Sequence, residues 1–135
     1  MSAENLFEGV PVIFAYTRAQ AIEDGVLIDV TEKAQELGFK HHTVVTQGVW
    51  SECVALTEAA KKACNDERGR LHDVLWMAAC ATRGMVGKME DDRVYFSVLS
   101  ITDNPRKPEK INLWMMCGPG DDAEPVITIM LEGED

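Results

Sequence analysis

The residues best suited to chemistry gather at two places in the chain. Y-T-R-A-Q-A-I-E-D-G, from Tyr16 to Gly25, sets an aromatic ring and an arginine where a strand gives way to a helix, and closes on Asp24 beside a glycine. Arg18 near free backbone amides suits an anion or a nucleotide phosphate. The structural alternative is a capping box, with Thr17 accepting from the Gln20 amide and Arg18 paired to a carboxylate. G-P-G-D-D-A-E-P, from Gly118 to Pro125, places Asp121, Asp122 and Glu124 on one loop. Oxygen ligands could hold a hard cation, but the alternating acidic spacing of a calcium loop is missing. A phosphate cradle is excluded too, because no Lys-Ser/Thr pair and no helix follows. The pattern favours a tight connection whose carboxylates form a contact surface for a basic partner.

Other chemistry finds little support. Cys53, Cys64, Cys80 and Cys117 have no C-x-x-C spacing and no histidine at a matching interval, which argues against zinc. Three of the four fall on apolar positions, so reduced cysteines in a core are expected. His41 and His42 are neighbours and would face opposite sides of a strand. His72 beside Asp73 reads as a surface or boundary pair. No nucleophile–histidine–acid set assembles, so no catalytic residue, cofactor site or metal site is assigned.

The formal charge is −10 and is unevenly spread. Residues 1–60 carry −6, residues 61–110 carry +2, and residues 111–135 carry −6 with no lysine or arginine. Acidic ends do not coat phosphate, so direct nucleic-acid binding is not expected. The middle leaves room for a local basic patch, Arg68 with Arg70 or Arg106 with Lys107 and Lys110. Val74 to Ala81 is the longest nearly uncharged apolar stretch, far short of the ~20 residues of a membrane span. No basic-then-apolar leader opens the chain, and a cytoplasmic protein is expected.

The elements that must position these residues follow from periodicity. Val12 to Ala15 reads as a strand, then a helix from Thr17 through Ile22 stops at Asp24-Gly25. Val26 to Val30 is a strand, and Thr31 caps a helix that ends at Gly38 with Phe39 folding back. Thr43 to Val45 is a further short strand. Val49, Cys53, Leu56, Ala60 and Cys64 recur at helical steps and make one long helix. A second helix from Arg70 to Arg83, opened near Asp66, is apolar on every side and therefore central and buried. Trp50, Trp76 and Trp114 read as core packing, since no basic stripe interleaves them. Val94 to Ile101, Ile111 to Cys117 and Val126 to Leu131 form a three-stranded antiparallel meander with apolar residues on both faces. One face covers the helices; the other calls for another part of the chain or a second copy in a homodimer. The expected architecture is a single α+β domain over residues 1–135: an N-terminal β-α-β-α segment, a central buried helix pair and the C-terminal meander. Residues 132–135 read as a frayed acidic tail.

Two long stretches, A-Y-T-R-A-Q-A-I-E-D-G-V-L-I-D-V-T (Ala15 to Thr31) and C-G-P-G-D-D-A-E-P-V-I-T-I-M-L (Cys117 to Leu131), with L-H-D-V-L-W-M-A-A (Leu71 to Ala79), make a fixed order of motifs. The chain thereby resembles a family of short proteins of unknown function carried by bacterial phages, plasmids and integrative elements. That resemblance implies a bacterial host cytoplasm and an accessory role, such as disarming restriction or CRISPR, and no reaction.

The leading expectation is a non-enzymatic interaction or inhibitor protein that offers an acidic surface to a host protein or complex. Tyr16, Arg18, Asp24, Asp121, Asp122 and Glu124 are its candidate contacts. The alternative is a small-ligand or nucleotide-binding protein built on Arg18 and the Asp121 loop. A weaker alternative is an enzyme whose groups, Asp73 among them, only the fold brings together.

Overall fold

A computed structural model describes residues 17–85, 87–90 and 93–134. The strand expected at Val12 to Ala15, and Tyr16, lie outside the described residues. Six strands form one mixed sheet in the order β1-β2-β6-β5-β4-β3. They are β1 (Leu27–Asp29), β2 (His42–Thr46), β3 (Lys88–Glu90), β4 (Arg93–Ser100), β5 (Glu109–Pro119) and β6 (Pro125–Leu131). The helices are α1 (Arg18–Glu23), α2 (Thr31–Glu36), α3 (Gln47–Val49), α4 (Glu58–Lys62) and α5 (Glu67–Thr82). The α+β class holds, and β4, β5 and β6 pair antiparallel as the expected meander. Beyond the meander, β2 joins β6 in parallel, with Val44 opposite Thr128. This pairing brings the N-terminal third beside the C-terminal strand.

Local chemistry explains most of the boundaries. At α1 the capping box is complete: Thr17 Oγ1 accepts from Gln20 N at 3.0 Å, and Gln20 Oε1 accepts from Thr17 N at 2.9 Å. Gly38, at φ +99°, closes α2, and Phe39 N–H donates back to Ala34 O. Thr31 does not cap α2, contrary to expectation. Val30 occupies the cap position, and the Thr31 hydroxyl accepts from Thr43 N–H and donates to Asp29, tying α2 to β2.

The long helix expected from Val49 to Cys64 is broken. α3 runs into a π-helical turn, Trp50–Val54, after which Ala55 swings to ψ 143°. Thr57 then caps α4, accepting from Ala60 N–H at 3.0 Å while its hydroxyl donates to Thr102 O at 2.7 Å. The apolar period survives the break because both pieces pack on the same core, so periodicity alone does not reveal it.

α5 lies across the sheet, as expected of the central helix. Val74, Leu75, Ala78 and Ala81 meet Val94, Phe96, Val98, Leu113 and Ile129 in the main core. Leu75, Leu113 and Ile129 are fully buried, each contributing about 1.5–3 kcal/mol of transfer free energy. The helix is not apolar-packed all round: Trp76 is 47% exposed and stacks on His72 at 6.2 Å. Trp114 is buried, as expected, and Trp50 packs at the core's border.

The opposite sheet face is covered within the chain itself, since Val44, Trp114, Val126 and Met130 are all buried. Arg93 lies over the Trp114 ring at 3.7 Å, and Tyr95 packs on the same ring. Cys53 and Cys80 are buried, but Cys64 and Cys117 are exposed, which corrects the expectation of a largely buried set. Nor is the acidic end frayed through Glu134. Its carboxylate accepts from Thr46 Oγ1 and from Leu131 N–H, both at 2.8 Å, clamping the end of β6 to the end of β2. No helix among the described residues is long and apolar enough to cross a membrane.

Candidate functional site

The sheet's mixed pairing assembles most of the candidate contacts at one place. Thr128 on β6 lies beside Val44 on β2, which lies beside Asp29 on β1. α1 begins directly above this row. Arg18 reaches down, its Nη1 donating to Thr128 Oγ1 at 2.8 Å and Nη2 to Ile127 O at 2.9 Å. The β5–β6 loop closes from the other side. There Asp121 Oδ1 accepts from Arg18 N–H at 2.8 Å and Oδ2 from Ala19 N–H at 3.0 Å.

This arrangement decides what the junction does. The free amides that would hold a phosphate are already filled by the protein's own Asp121 carboxylate. The Arg18 guanidinium spends two of its nitrogens on β6. Partial burial pulls its pKa down, opposed by the charges of Asp121, Glu124 and Asp29. Arg18 thus acts as a strap between α1, β6 and the loop. The structure sets Arg18 against the Asp121 loop, and there the α1 amides are taken up by the Asp121 carboxylate.

Two of the loop carboxylates, Asp121 and Glu124, accept main-chain hydrogen bonds. The two N–H donors of Arg18 and Ala19 hold the Asp121 carboxyl below its ordinary range, helped by the Arg18 charge. Glu124 Oε1 accepts from Asp122 N–H at 3.0 Å, and its carboxylate fills the space a Cβ on Gly120 would need. Asp122 and Glu124 are exposed. Asp24 lies at the other end of α1, where its N–H donates to Gln20 O at 2.9 Å and the Gly25 N–H donates to Ile22 O at 3.1 Å.

One neighbouring cluster escaped sequence reasoning. Asp29 Oδ1 accepts from Thr31 N–H and Thr31 Oγ1, and its Oδ2 lies 3.2 Å from His42 Nε2. Burial pushes the Asp29 carboxyl up, but the Thr31 bonds and the His42 imidazole outweigh it and hold it below the usual range. The signal was an acid two residues ahead of a threonine; the histidine arrives only through strand pairing. His72 and Asp73 form the surface pair expected, at 3.9 Å. Among the described residues no group of three or more His, Cys, Asp or Glu side chains could hold a metal ion.

Arg70 is not part of a basic surface patch. It is 6% exposed and donates to five neutral acceptors: Cys53 O, Glu52 O, Ile101 O, Asn65 Oδ1 and Ser100 Oγ. Three of these are main-chain carbonyls, two in the π-helical turn and one just past the end of β4. Arg70 therefore fastens the broken helical segment to the sheet.

Fold and site together describe a small mixed-sheet domain with an acidic loop strapped to its first helix. Residues 3–135 match the model of a family of unknown function, DUF6573, and the chain belongs to that family. No curated protein and no solved structure matches it.

Proposed function

We propose that this protein works by binding rather than by catalysis, presenting its carboxylates to a cationic surface of a macromolecular partner. The observation that carries this reading is how little of the acidity is neutralised internally. Between described residues, lysine–carboxylate pairs are limited to Lys33–Glu36 at 3.4 Å and Lys61–Glu58 at 3.6 Å, each within a single helix. Such pairs, three residues apart on one helix, contribute little and compensate only a small part of the −10 formal charge. The strapped β5–β6 loop gives part of that charge a fixed shape, because the Asp121 and Glu124 carboxylates are held by main-chain donors.

The likeness to short proteins of phages, plasmids and integrative elements points to a host protein in a bacterial cell. A nuclease or CRISPR complex with a cationic nucleic-acid face fits, and the acidic surface would occupy that face. The nucleotide-binding alternative loses its anchor at Arg18, whose two terminal nitrogens are engaged with β6.

The test is capture from bacterial lysate on the immobilised protein, comparing wild type with an Asp122→Lys, Glu23→Lys double variant. Both residues are exposed. The reading expects a basic protein retained by wild type and lost by the variant. Equal retention by both, or no retained protein, overturns it.

A further inference from the structure

The π-helical turn Trp50–Val54 breaks a helical segment whose apolar period would otherwise run on. Such turns are rare and gather at functional sites, where the extra residue re-aims a side chain. This one is fixed from behind: Arg70 Nε donates to Cys53 O at 3.1 Å, and Ser100 Oγ donates to Glu52 O at 2.7 Å. Trp50, the first residue of the turn, packs on the border of the core and stays half-buried. What it leaves open lines a cleft of about 640 Å³ between β1, α2 and α5.

The cleft has an apolar wall and an acidic one. Ile28 and Leu71 continue the surface of Trp50, while Asp29, Glu32 and Gln35 supply oxygen acceptors. Asp29 has capacity to spare. Its Oδ1 is taken by Thr31 N–H and Thr31 Oγ1, but among the described residues its Oδ2 meets the His42 imidazole alone, at 3.2 Å. The Asp29 side chain is 46% exposed. One cation stands in the wall, Lys33, and Glu36 holds it at 3.4 Å. Around the cleft, Arg18 is faced by Asp121 and Glu124 as well as by Asp29. Glu67 and Arg68, one turn before Leu71 on α5, cancel each other. Residues 17–54, which run from α1 through the π-helical turn, carry six carboxylates against three cations. The excess of negative charge is thus local to this place.

We propose that the cleft takes the guanidinium of an arginine presented by the partner. The inference rests on the binding role proposed above and names the group that is gripped. A planar cation suits both walls: its face stacks on the Trp50 indole while its edge donates to the open Asp29 oxygen and to Glu32. An ammonium meets the same charge without the stacking or the fork of donors. A neutral group gains little from the acidic wall, and a phosphate is repelled by it.

The probe is the peptide Ac-Gly-Arg-Gly-NH2, titrated into the full chain at constant ionic strength by NMR that resolves amide and indole N–H groups. The controls are the same peptide with lysine, and with citrulline, a neutral group of the same shape as arginine. The expected result is saturable shifts at the Trp50 indole and at the Asp29 and Glu32 amides. The lysine peptide binds about twofold to fivefold more weakly, and the citrulline peptide about fivefold to tenfold. Trp50→Leu weakens the arginine peptide about twofold to fivefold, and Asp29→Asn, Glu32→Gln about fivefold. A dispersed amide spectrum checks that each variant is folded, and the peptide controls decide the matter on the unaltered chain. Equal binding of the arginine and citrulline peptides, or shifts spread evenly over the acidic surface, overturn the proposal. So does tighter binding of spermidine than of the arginine peptide, which gives the cleft to a free polyamine. Partner capture lost with Asp122→Lys, Glu23→Lys but intact with Asp29→Asn, Glu32→Gln sinks this inference and leaves the acidic-surface reading standing.

Discussion

Replacing Arg70 by methionine tests whether one buried side chain joins the helical segment to the sheet. Methionine keeps much of the apolar stem and removes all five donors. Glu52 O retains the Ser100 hydroxyl at 2.7 Å, but Arg70 is the donor that serves Cys53 O at 3.1 Å and Ile101 O at 2.9 Å. Each buried carbonyl left without a partner costs about 1–3 kcal/mol. Two such groups give about 2–6 kcal/mol, and part is returned because no guanidinium need be dehydrated beside neutral acceptors alone. The expected net loss is about 3 kcal/mol, a large share of the ~5–15 kcal/mol of an ordinary domain. Urea denaturation followed by far-UV dichroism measures it, with thermal melting expected to fall by about 10 °C. Arg70→Lys should recover only part, since an ammonium cannot span acceptors on two sides. A loss below about 1 kcal/mol for Arg70→Met, with an unchanged denaturant slope, refutes the idea that Arg70 is the fastener.

Other consequences are equally direct. Cys64 sits at φ +63°, where a side chain is strained, so Cys64→Gly should stabilise the fold by up to about 1 kcal/mol in the same urea assay. Thiol titration of the native protein at about pH 8 should find two reactive groups, Cys64 and Cys117. Cys53, whose thiol burial and Glu52 push up to about 12, should react only on unfolding, together with buried Cys80. Asp29 is held below its unfolded value of 3.8, so its contribution is complete above that pH and is lost as pH falls through the folded value. Asp29→Asn should therefore lower stability at neutral pH and flatten the acid limb of the stability profile below about pH 4. Asp121→Asn should speed amide exchange at Arg18 and Ala19 without moving the Ser97 amide.

What the sequence disclosed depended on the range of the interaction involved. The Thr17–Gln20 box and the Gly38 stop are set within a few residues, and both were readable from spacing. The meander was readable because a polar, proline-containing turn separates two β-rich runs. The parallel pairing of β2 with β6 was not, since it joins residues some eighty positions apart with no local mark. The break at Ala55 was hidden because Thr57 has its purpose fixed by Thr102, far along the chain. Arg70 looked like a surface cation for the same reason: its acceptors lie in the π-helical turn and at the end of β4. At the candidate site, the sequence offered Arg18 and the Asp121 loop as contacts, and the structure sets them side by side. It did not show that the carboxylate would be spent on the α1 amides, nor that His42 would face Asp29.

The binding account stands most directly on salt. For the partner captured by wild type, affinity is measured from about 50 mM to about 300 mM salt, where screening shortens from beyond to within a surface patch. Carboxylates gripping a cationic face predict affinity that falls steeply across this range and a shallower fall for Asp122→Lys, Glu23→Lys. Affinity that is flat with salt in both proteins would contradict the account.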